Sequence, residues 1–435
     1  MRLLIANDLD DSLLYKYDVR AWAHRIIWFA QNNDTIIMMD EPDYDYVEYV
    51  TRITGVELNT LKFLVLEGPG RFNRKMFDHH LLLDTSFIEK MKHVISDINI
   101  TEVHALWNSP MISIFLEKIN LEKLWKGNSL YKQNGSEFLN NMGNFRAISG
   151  GSKAPIAEGA VCKTIEDAKI FSKYYLEKYD ALMIKKAHAG AGAGNILLSK
   201  KSAIDGSHSG NKQRVYLTDN YEEELFKFWD DKWEWVSHNG RYSVVVEEYI
   251  ENAKSLYIEY FLDDFKCAFG EVGELHFKDG RLHHEVVPAR NLNKKIESDI
   301  LRSSEELAER YRILGCRGYL SVDSVIDSND RFIFTEINAQ FTGSSHLYGV
   351  ISKNIARAKE RGLLVTQLST PENVYIKDFN HFIYAIKRSN LLYSEESKKY
   401  VLPVTPCIGK SGTMIVAVVH SLEEDPEKVL MGINY

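Results

Sequence analysis

The sequence predicts an α/β protein with an N-terminal mixed domain, a larger middle region of α+β lobes and a short C-terminal lobe. Three patterns point there. From residue 1 to about 135, strand-length apolar runs alternate with longer amphipathic runs, which favours a small domain with a largely parallel sheet. Between about 140 and 350, apolar strands come in hairpin-like succession, interrupted by long helical patterns. From about 370 onward, short strands are punctuated by Gly and Pro.

The elements follow in order. RLLIAND reads as a first buried strand, AWAHRIIWFAQ as a helix and TIIMMD as a second strand. LKFLVLE, a helix near SFIEKMKHVI and the strand EVHALW complete the first region. The polar stretch KGNSLYKQNGSEFLNNMGNF reads as a boundary or a mobile segment. A helix over TIEDAKIFSKYYLEKY leads to the strand ALMIKK, the Gly-rich AHAGAGAGN and the strand ILLSK. Residues 202–240 are polar and irregular apart from a Trp-rich helix, EEELFKFWDDKWEWV, whose aromatic stripe suits packing. The strands VVVEEYI and LYIEYFLDD follow, then CAFGEVGELHFKDGRLHHEVV, which carries an Asp279-Gly280 hairpin signal. A helix over ESDILRSSEELAERYRIL precedes a second hairpin at 317–340, and VLPVTP and TMIVAVVHS are the strands of the tail.

Composition narrows the class. The chain has 435 residues, 45% hydrophobic and 26% charged, with a formal charge of −8. That is the profile of a soluble globular protein, and it lacks the basic footprint of nucleic-acid binding. No run approaches the roughly 20 apolar residues of a membrane span, and MRLLIAND turns acidic too soon for a signal peptide. The four cysteines, Cys162, Cys267, Cys316 and Cys407, have no CxxC spacing, which favours a reducing, cytoplasmic setting over a zinc or disulfide framework.

Three motifs carry chemistry. Folding the 317–340 hairpin about its midpoint sets Asp323 opposite Glu336 and Ser321 opposite Asn338, on one face with Val325 and Phe334. Like charges across a ladder, with β-carbons about 5 Å apart, destabilise the pair. Either the face is solvated and the pairing incidental, or Asp323, Glu336 and Asn338 together hold a divalent cation such as Mg²⁺. The second motif, MIKKAHAGAGAGN, has Gly190, Gly192 and Gly194 in alternation. Such a loop lets backbone N–H groups approach phosphate oxygens, with Lys185 or Lys186 adding a cation; the other reading is a flexible hairpin tip. The spacing is not GxGxxG and a strand follows, so a dinucleotide fold and a NAD-dependent dehydrogenase are disfavoured. In VVVEEYIEN, the third motif, Glu247, Glu248, Tyr249 and Ile250 form either a hinge that reads an adenine edge or an ordinary solvated strand end.

Other features are set aside. IGKSG at 408–412 lacks the earlier Gly of a P-loop, because Val404 stands there. His79-His80 and His283-His284 are adjacent pairs, whose side chains on a strand would point to opposite faces and so not share a metal. There is no GxSxG elbow.

The order of the three motifs resembles that of the ATP-grasp superfamily of carboxylate ligases over roughly residues 140–350, most specifically in VDSVIDSNDRFIFTEINA. The resemblance implies an ATP-grasp fold whose two lobes hold ATP. The expected division is an N-terminal α/β pre-ATP-grasp domain at 1–138, the ATP-grasp domain at 139–365 and a small C-terminal lobe at 366–435. It implies that Lys185 contacts the phosphates and that His188, Gly190, Ala191, Gly192, Gly194 and Asn195 belong to the loop covering them. Glu247, Glu248, Tyr249 and Ile250 would surround adenine, and Asp323, Glu336 and Asn338 would hold Mg²⁺. AHAGAGAGN, EINAQFTGSSH and VLPVTPCIGKSGT are similar to a narrower group that includes the peptide ligase of pheganomycin biosynthesis and the carrier-protein glutamate ligase of butirosin biosynthesis.

The chain departs from the family pattern where a ribose-binding Glu is usual, since Lys254 stands there; Glu259 is one replacement. Ser321 stands where an Arg often precedes the metal Asp, and Gln340 where related motifs often carry Arg. Arg290, in VVPARN, is the expected substitute for stabilising an acyl phosphate. Ser344, Ser345 and His346 follow the metal motif and suit either substrate contact or capping and packing. The implied activity is ATP- and Mg²⁺-dependent ligation of a carboxylate to an amine through an acyl phosphate, making a peptide or amino-acid amide in specialised metabolism such as antibiotic biosynthesis. Loading an amino acid onto an acyl-carrier protein is the alternative, with KNIARAKER (353–361) as a basic docking stretch or a solvated helix face. A non-catalytic nucleotide-binding module is the second alternative. Small-molecule carboxylate and amine substrates are the expected partners, with neither nucleic acid nor membrane, and dimers are common in the family.

Overall fold

The structure is a computed structural model of the chain and describes residues 1–7, 23–71, 77–189, 192–201, 204–207, 209–218, 220–371, 374–406 and 414–435. Gly190, Ala191, Cys407 and the IGKSG stretch lie outside the described residues. Among the described residues no helix is long and apolar enough to cross a membrane.

Strands β1 (Arg2–Ile5), β2 (Thr35–Met38), β3 (Lys62–Val65) and β4 (Glu102–Ala105) form a wholly parallel sheet in the order β3-β2-β1-β4. This is the βα alternation of the first region, since parallel neighbours need a crossover between them. The helix Tyr44–Thr54 is one crossover: Asp43 caps it by accepting from the Tyr46 N–H, and Gly55 ends it in the left-handed conformation. AWAHRIIWFAQ is instead a short 3₁₀ helix, His24–Phe29, within the described residues.

Strands β5 (Gly159–Cys162), β6 (Ala181–Lys185), β7 (Asn195–Ser199), β8 (Gln213–Tyr216) and β9 (Val244–Glu248) make a second sheet in the order β5-β9-β6-β7-β8. Its outer face is covered by the helices Ile165–Lys178 and Tyr221–Ser237, which contribute Leu176, Phe228 and Trp229 to a core with Ile184, Ile196 and Val246. The Trp-rich stripe is therefore packing. Thr164 and Asp167 form a capping box at the start of the first of these helices. The polar stretch before this sheet is not a loose linker. It folds into three short helices, Asn128–Tyr131, Gly135–Leu139 and Met142–Gly151.

The third sheet is the largest and is antiparallel throughout. It contains β10 (Lys254–Leu262), β11 (Cys267–Lys278), β12 (Arg281–Val287), β13 (Gly318–Ile326), β14 (Phe332–Asn338), β15 (Leu364–Ser369), β16 (Tyr400–Pro403) and β17 (Ile415–His420), in the order β14-β13-β10-β11-β12-β15-β17-β16. The strands of the tail thus extend this sheet instead of forming one of their own. The helix Lys294–Ile313 packs on one face through Ile296, Ile300 and Leu307 against Leu256, Ile258 and Tyr260. Asp279 and Gly280 both have positive φ in the β11–β12 turn, as the hairpin signal requires.

Three register shifts interrupt this sheet, one of them between β10 and β11 at Ile258 and Tyr260, and the other two reset which side chains share a face near the cavity. In the β13–β14 hairpin, Asp323 pairs with Glu336 but Ser324 pairs with Phe334, so Thr335 is an extra residue. In the β11–β12 hairpin, His276 pairs with His284 but Phe277 with Leu282, so His283 is extra.

Candidate active site

A cavity of about 590 Å³ opens between the second and third sheets, within the size range of small-molecule sites. Met183 and Lys185 of β6, with Glu247 and Glu248 of β9, line one side, and the β10–β14 strands line the other. Ser207 and segment 209–211 close one end against the β11–β12 turn, where the Gly280 N–H donates to the Ser207 carbonyl at 2.9 Å.

On the sheet side, the cross-strand pairs expected from the sequence are present: Asp323 faces Glu336, and Ser321 faces Asn338. The Asn338 side-chain amide lies 3.0 Å from Glu336 Oε1 and 3.4 Å from Asp323 Oδ2, and Ser321 Oγ donates to Asp323 Oδ1 at 3.3 Å. Burial and the facing Glu336 push the Asp323 carboxyl well above the usual carboxylate range. Two carboxylates and an amide oxygen on one face are a hard-oxygen donor set that suits Mg²⁺, and a cation there offsets the repulsion. The expectation that Phe334 shares this face is corrected by the bulge. Phe334 turns into the core with Val322 and Leu320, and Ile333 takes its place at the cavity. The bulge also aims the Thr335 carbonyl at Lys185, whose Nζ donates to it at 2.9 Å.

Lys185 is buried at the end of β6 and pairs with Glu247 Oε1 at 2.6 Å. Glu247 Oε2 accepts from Arg146 at 2.5 Å, and Arg146 also donates to the Ala157 carbonyl at 2.9 Å. Each oxygen of Glu247 holds one cation, so this carboxylate orients Lys185 while lining the cavity beside Tyr249 and Ile250. Arg146, which sequence reasoning missed, directly follows the polar stretch read as a boundary, on the helix Met142–Gly151. Glu248 reaches Arg331 at 3.0 Å. Tyr249 and Ile250 line the cavity at the hinge, where the Tyr249 hydroxyl is 3.2 Å from Ser209 Oγ.

Of the Gly-rich loop, Gly192 and Asn195 line the cavity. Gly192 has φ +70°, and a Cβ there would fall 2.5 Å from the Gly210 carbonyl oxygen, so only Gly fits. Asn195 Nδ2 donates to that same carbonyl at 2.7 Å, tying the loop to segment 209–211. A Cβ on Gly194 would meet Ala189 and Lys186, and Gly194 is not among the cavity-lining residues. Neither is His188, whose ring lies 4.7 Å from that of Tyr242 with Nε2 3.1 Å from Asn141.

Arg290 does not line the cavity. Its guanidinium lies 3.5 Å from Glu274 and from His276 Nε2, and its backbone N–H donates to Glu274. Glu274 pairs with Leu256 and Val286, on the sheet face opposite Leu275 and Glu285. The structure thus sets Arg290 beside Glu274, outside the residues that line the cavity. Burial works against the Glu274 charge, but His276, the Arg290 N–H and Lys254 outweigh it and hold this carboxyl down at about 2. Lys254, at the usual ribose-binding position, is thereby engaged on the far face, 2.9 Å from Glu274. Glu259 does not replace it at the hinge, because its Oε1 accepts from Thr342 at 2.9 Å and from Ser344 at 2.5 Å.

Ser344 lines the cavity while holding Glu259. Ser345 and His346 are bonded within the fold: Ser345 Oγ accepts from the Thr342 N–H at 2.9 Å, and His346 Nε2 lies 2.8 Å from Gln367 Oε1. Burial pushes the His346 imidazole down to about 3, so it is neutral. The expected separation of His283 and His284 by strand alternation is also corrected. The bulge turns both toward Glu427 Oε1, at 2.8 and 3.9 Å, with ligand atoms spaced for a shared metal ion.

Residues 23–121 match the family model described as Pre ATP-grasp domain. No curated protein matches the chain in sequence. Solved structures are similar over nearly the whole chain. Campylobacter jejuni biotin carboxylase is 13% identical, with 98% of this chain and 88% of that one covered and a TM-score of 0.58. The Aspergillus clavatus N5-carboxyaminoimidazole synthase, in complex with ADP and 5-aminoimidazole ribonucleotide, is 10% identical, with coverage of 100% and 97% and a TM-score of 0.55. The L-amino acid ligase of Bacillus licheniformis is 12% identical, with coverage of 99% and 96% and a TM-score of 0.52. The fold is therefore the mixed α/β ATP-grasp fold, and its N-terminal part carries a pre-ATP-grasp domain.

Proposed function

We propose that the protein is an ATP- and Mg²⁺-dependent ligase that joins a carboxylate to an amine and forms ADP. One observation carries this reading: the Asp323, Glu336 and Asn338 set and the buried Lys185 line a single cavity between two sheets. The likeness in fold to an L-amino acid ligase and to the ADP-bound N5-carboxyaminoimidazole synthase supports it.

In this reading the nucleotide lies between β6–β9 and β10–β14, with its base at Tyr249 and Ile250 and its phosphates at Lys185 and the loop of Gly192 and Asn195. Asp323, Glu336 and Asn338 would hold Mg²⁺, which would supply positive charge to the phosphates. A substrate carboxylate oxygen attacks the γ-phosphorus and ADP departs, leaving an acyl phosphate. The amine then attacks the acyl carbon, inorganic phosphate leaves, and the amine nitrogen loses a proton. Lys185 stabilises charge on the transferring group, and Glu247 and Thr335 fix where its Nζ stands. The reaction needs no nucleophilic side chain, because the protein's work is positioning and electrostatics. Enclosure by segment 209–211 and the β11–β12 turn limits water, which would otherwise hydrolyse the acyl phosphate.

The test is ADP and phosphate release from ATP and MgCl₂ in the presence of amino-acid pools. ADP formation that depends on added amino acid supports the ligase. Formation of AMP and pyrophosphate, or tight ATP binding with no turnover, would overturn it.

A further inference from the structure

Beyond the metal set, the same face of the large sheet carries acidic and phenolic oxygens with no bonded counter-charge. Glu285, on β12, is 6% exposed and lines the cavity, yet its Oε2 has no hydrogen-bond partner, and it makes no ion pair among the described residues. The Tyr257 hydroxyl, also at the cavity, is buried without a partner. Gly273 makes room for that ring, because a Cβ there would fall 2.1 Å from Tyr257 Cζ. Glu259, two residues along β10 from Tyr257, likewise has an Oε2 with no hydrogen-bond partner. Removing a carboxyl group from water without a partner is costly, and natural folds rarely leave several such atoms together. Burial raises both Glu259 and Glu285 to about 7, in the case of Glu285 against a smaller opposing pull from Arg25.

We infer that Glu285 and Tyr257, backed by Glu259, form the subsite for an ammonium group of the substrate, so that the acid activated here is an amino acid. The chemistry is complementary. An ammonium offers three N–H donors and a positive charge to oxygens that otherwise lack a donor. The placement is also consistent. Asp323 faces Tyr257 across the β13–β10 ladder, and Glu285 lies three strands from Asp323, about 14 Å along the sheet between backbones, with both side chains leaning over the cavity. The carboxylate end of the substrate then meets the phosphates, and its amine points away from Lys185.

The inference rests on the ligase reading but is tested separately from it. Isothermal titration of the full chain, with MgCl₂ and a non-hydrolysable ATP analogue present, uses each of the twenty L-amino acids and then the N-acetyl form of any that binds. We expect acetylation to weaken binding by at least about 10-fold, because it removes the charge and leaves the acceptors unpaired. Glu285→Gln should abolish that discrimination while nucleotide affinity stays within about 2-fold, which also shows that the variant folds; Tyr257→Phe should weaken amino-acid binding by a smaller factor. Equal binding of free and acetylated forms, discrimination that survives Glu285→Gln, binding of none of the twenty, or loss of Mg²⁺ affinity in Glu285→Gln instead of amine affinity would each overturn the subsite. ADP release driven equally well by acetylated acids would sink the subsite and leave the ligase standing. Amine-selective binding without ADP release would uphold the subsite and sink the ligase.

Discussion

The two walls of the cavity treat charge in opposite ways. On the small-sheet side, Lys185, Glu247 and Arg146 are all buried, and every one is paired, the carboxylate lying between two cations at 2.6 and 2.5 Å. On the large-sheet side, Asp323, Glu336, Glu259 and Glu285 crowd together with no Lys or Arg bonded to any of them among the described residues. A satisfied buried network fixes geometry; an unsatisfied one awaits something that is not part of the chain. In the proposed reading the same residue type serves architecture at Glu247 and function at Glu336 and Glu285, and partners, not identity, tell the two apart.

Breaking the paired wall should have the largest effect on stability. Glu247→Ala leaves two buried cations, Lys185 and Arg146, without their shared anion. Urea unfolding should show a loss of about 3–5 kcal/mol, with lowered activity as a consequence of a displaced Lys185. The unpaired wall should behave in reverse. Glu336→Ala removes a like charge from opposite Asp323, so stability should hold or rise. ADP formation should fall on the order of 10²–10³-fold, as when one preorganised electrostatic contact is lost. If both variants lose stability alike, the contrast between the walls is wrong.

Glu285→Gln sharpens the same contrast through pH. The Glu285 carboxyl is raised by burial from 4.5 to about 7, so the folded chain holds a proton that the unfolded chain has lost between those values. Stability from this group is thus full below about 4.5 and declines as pH rises toward 7, then levels. The neutral amide has no such slope. Relative to the parent, Glu285→Gln should gain on the order of 2–3 kcal/mol in unfolding free energy between pH 5 and pH 8, measured without substrate. A variant whose advantage is the same at both pH values would show that Glu285 is partnered after all.

How far the site was legible depends on the same bonds. The acidic pair Asp323 and Glu336 was readable because β alternation and a polar turn suffice to bring two conspicuous carboxylates together. The parallel first sheet was readable from its βα alternation. What failed was register near the turns. Folding 317–340 about its midpoint puts Phe334 on the wrong face, because Thr335 is an extra residue, and plain alternation sets His283 and His284 on opposite faces, although His283 is another. A bulge shifts every side chain beyond it by one face and leaves no mark in a single sequence. Arg146 was invisible for a different reason. Its value lies in a partner 101 positions away, and nothing in the Asn- and Gly-rich stretch that precedes it announces that contact. The glycines of the loop were legible as glycines, but only the approach of Gly210 shows why Gly192 must be one.

Arg290 is where the smallest effect is expected, and it tests whether partners outrank resemblance. The motif order makes Arg290 the natural cation for an acyl phosphate, and a catalytic Arg of that kind would be worth about 10³-fold or more in rate. Its guanidinium instead stands by Glu274 on the sheet face turned from the cavity. Glu274 keeps Lys254 at 2.9 Å and His276 at 2.9 Å if the guanidinium is removed, and the Arg290 backbone N–H remains in place, so little charge is stranded. Arg290→Ala should therefore change the rate of ADP formation by no more than about 2-fold and cost only about 1 kcal/mol in stability, in the range of a partly exposed ion pair. A rate loss of about 10³-fold with an unaltered unfolding curve would mean that the segment after β12 swings its side chain across the sheet edge during turnover, and that the unpaired wall acquires a cation from the chain itself.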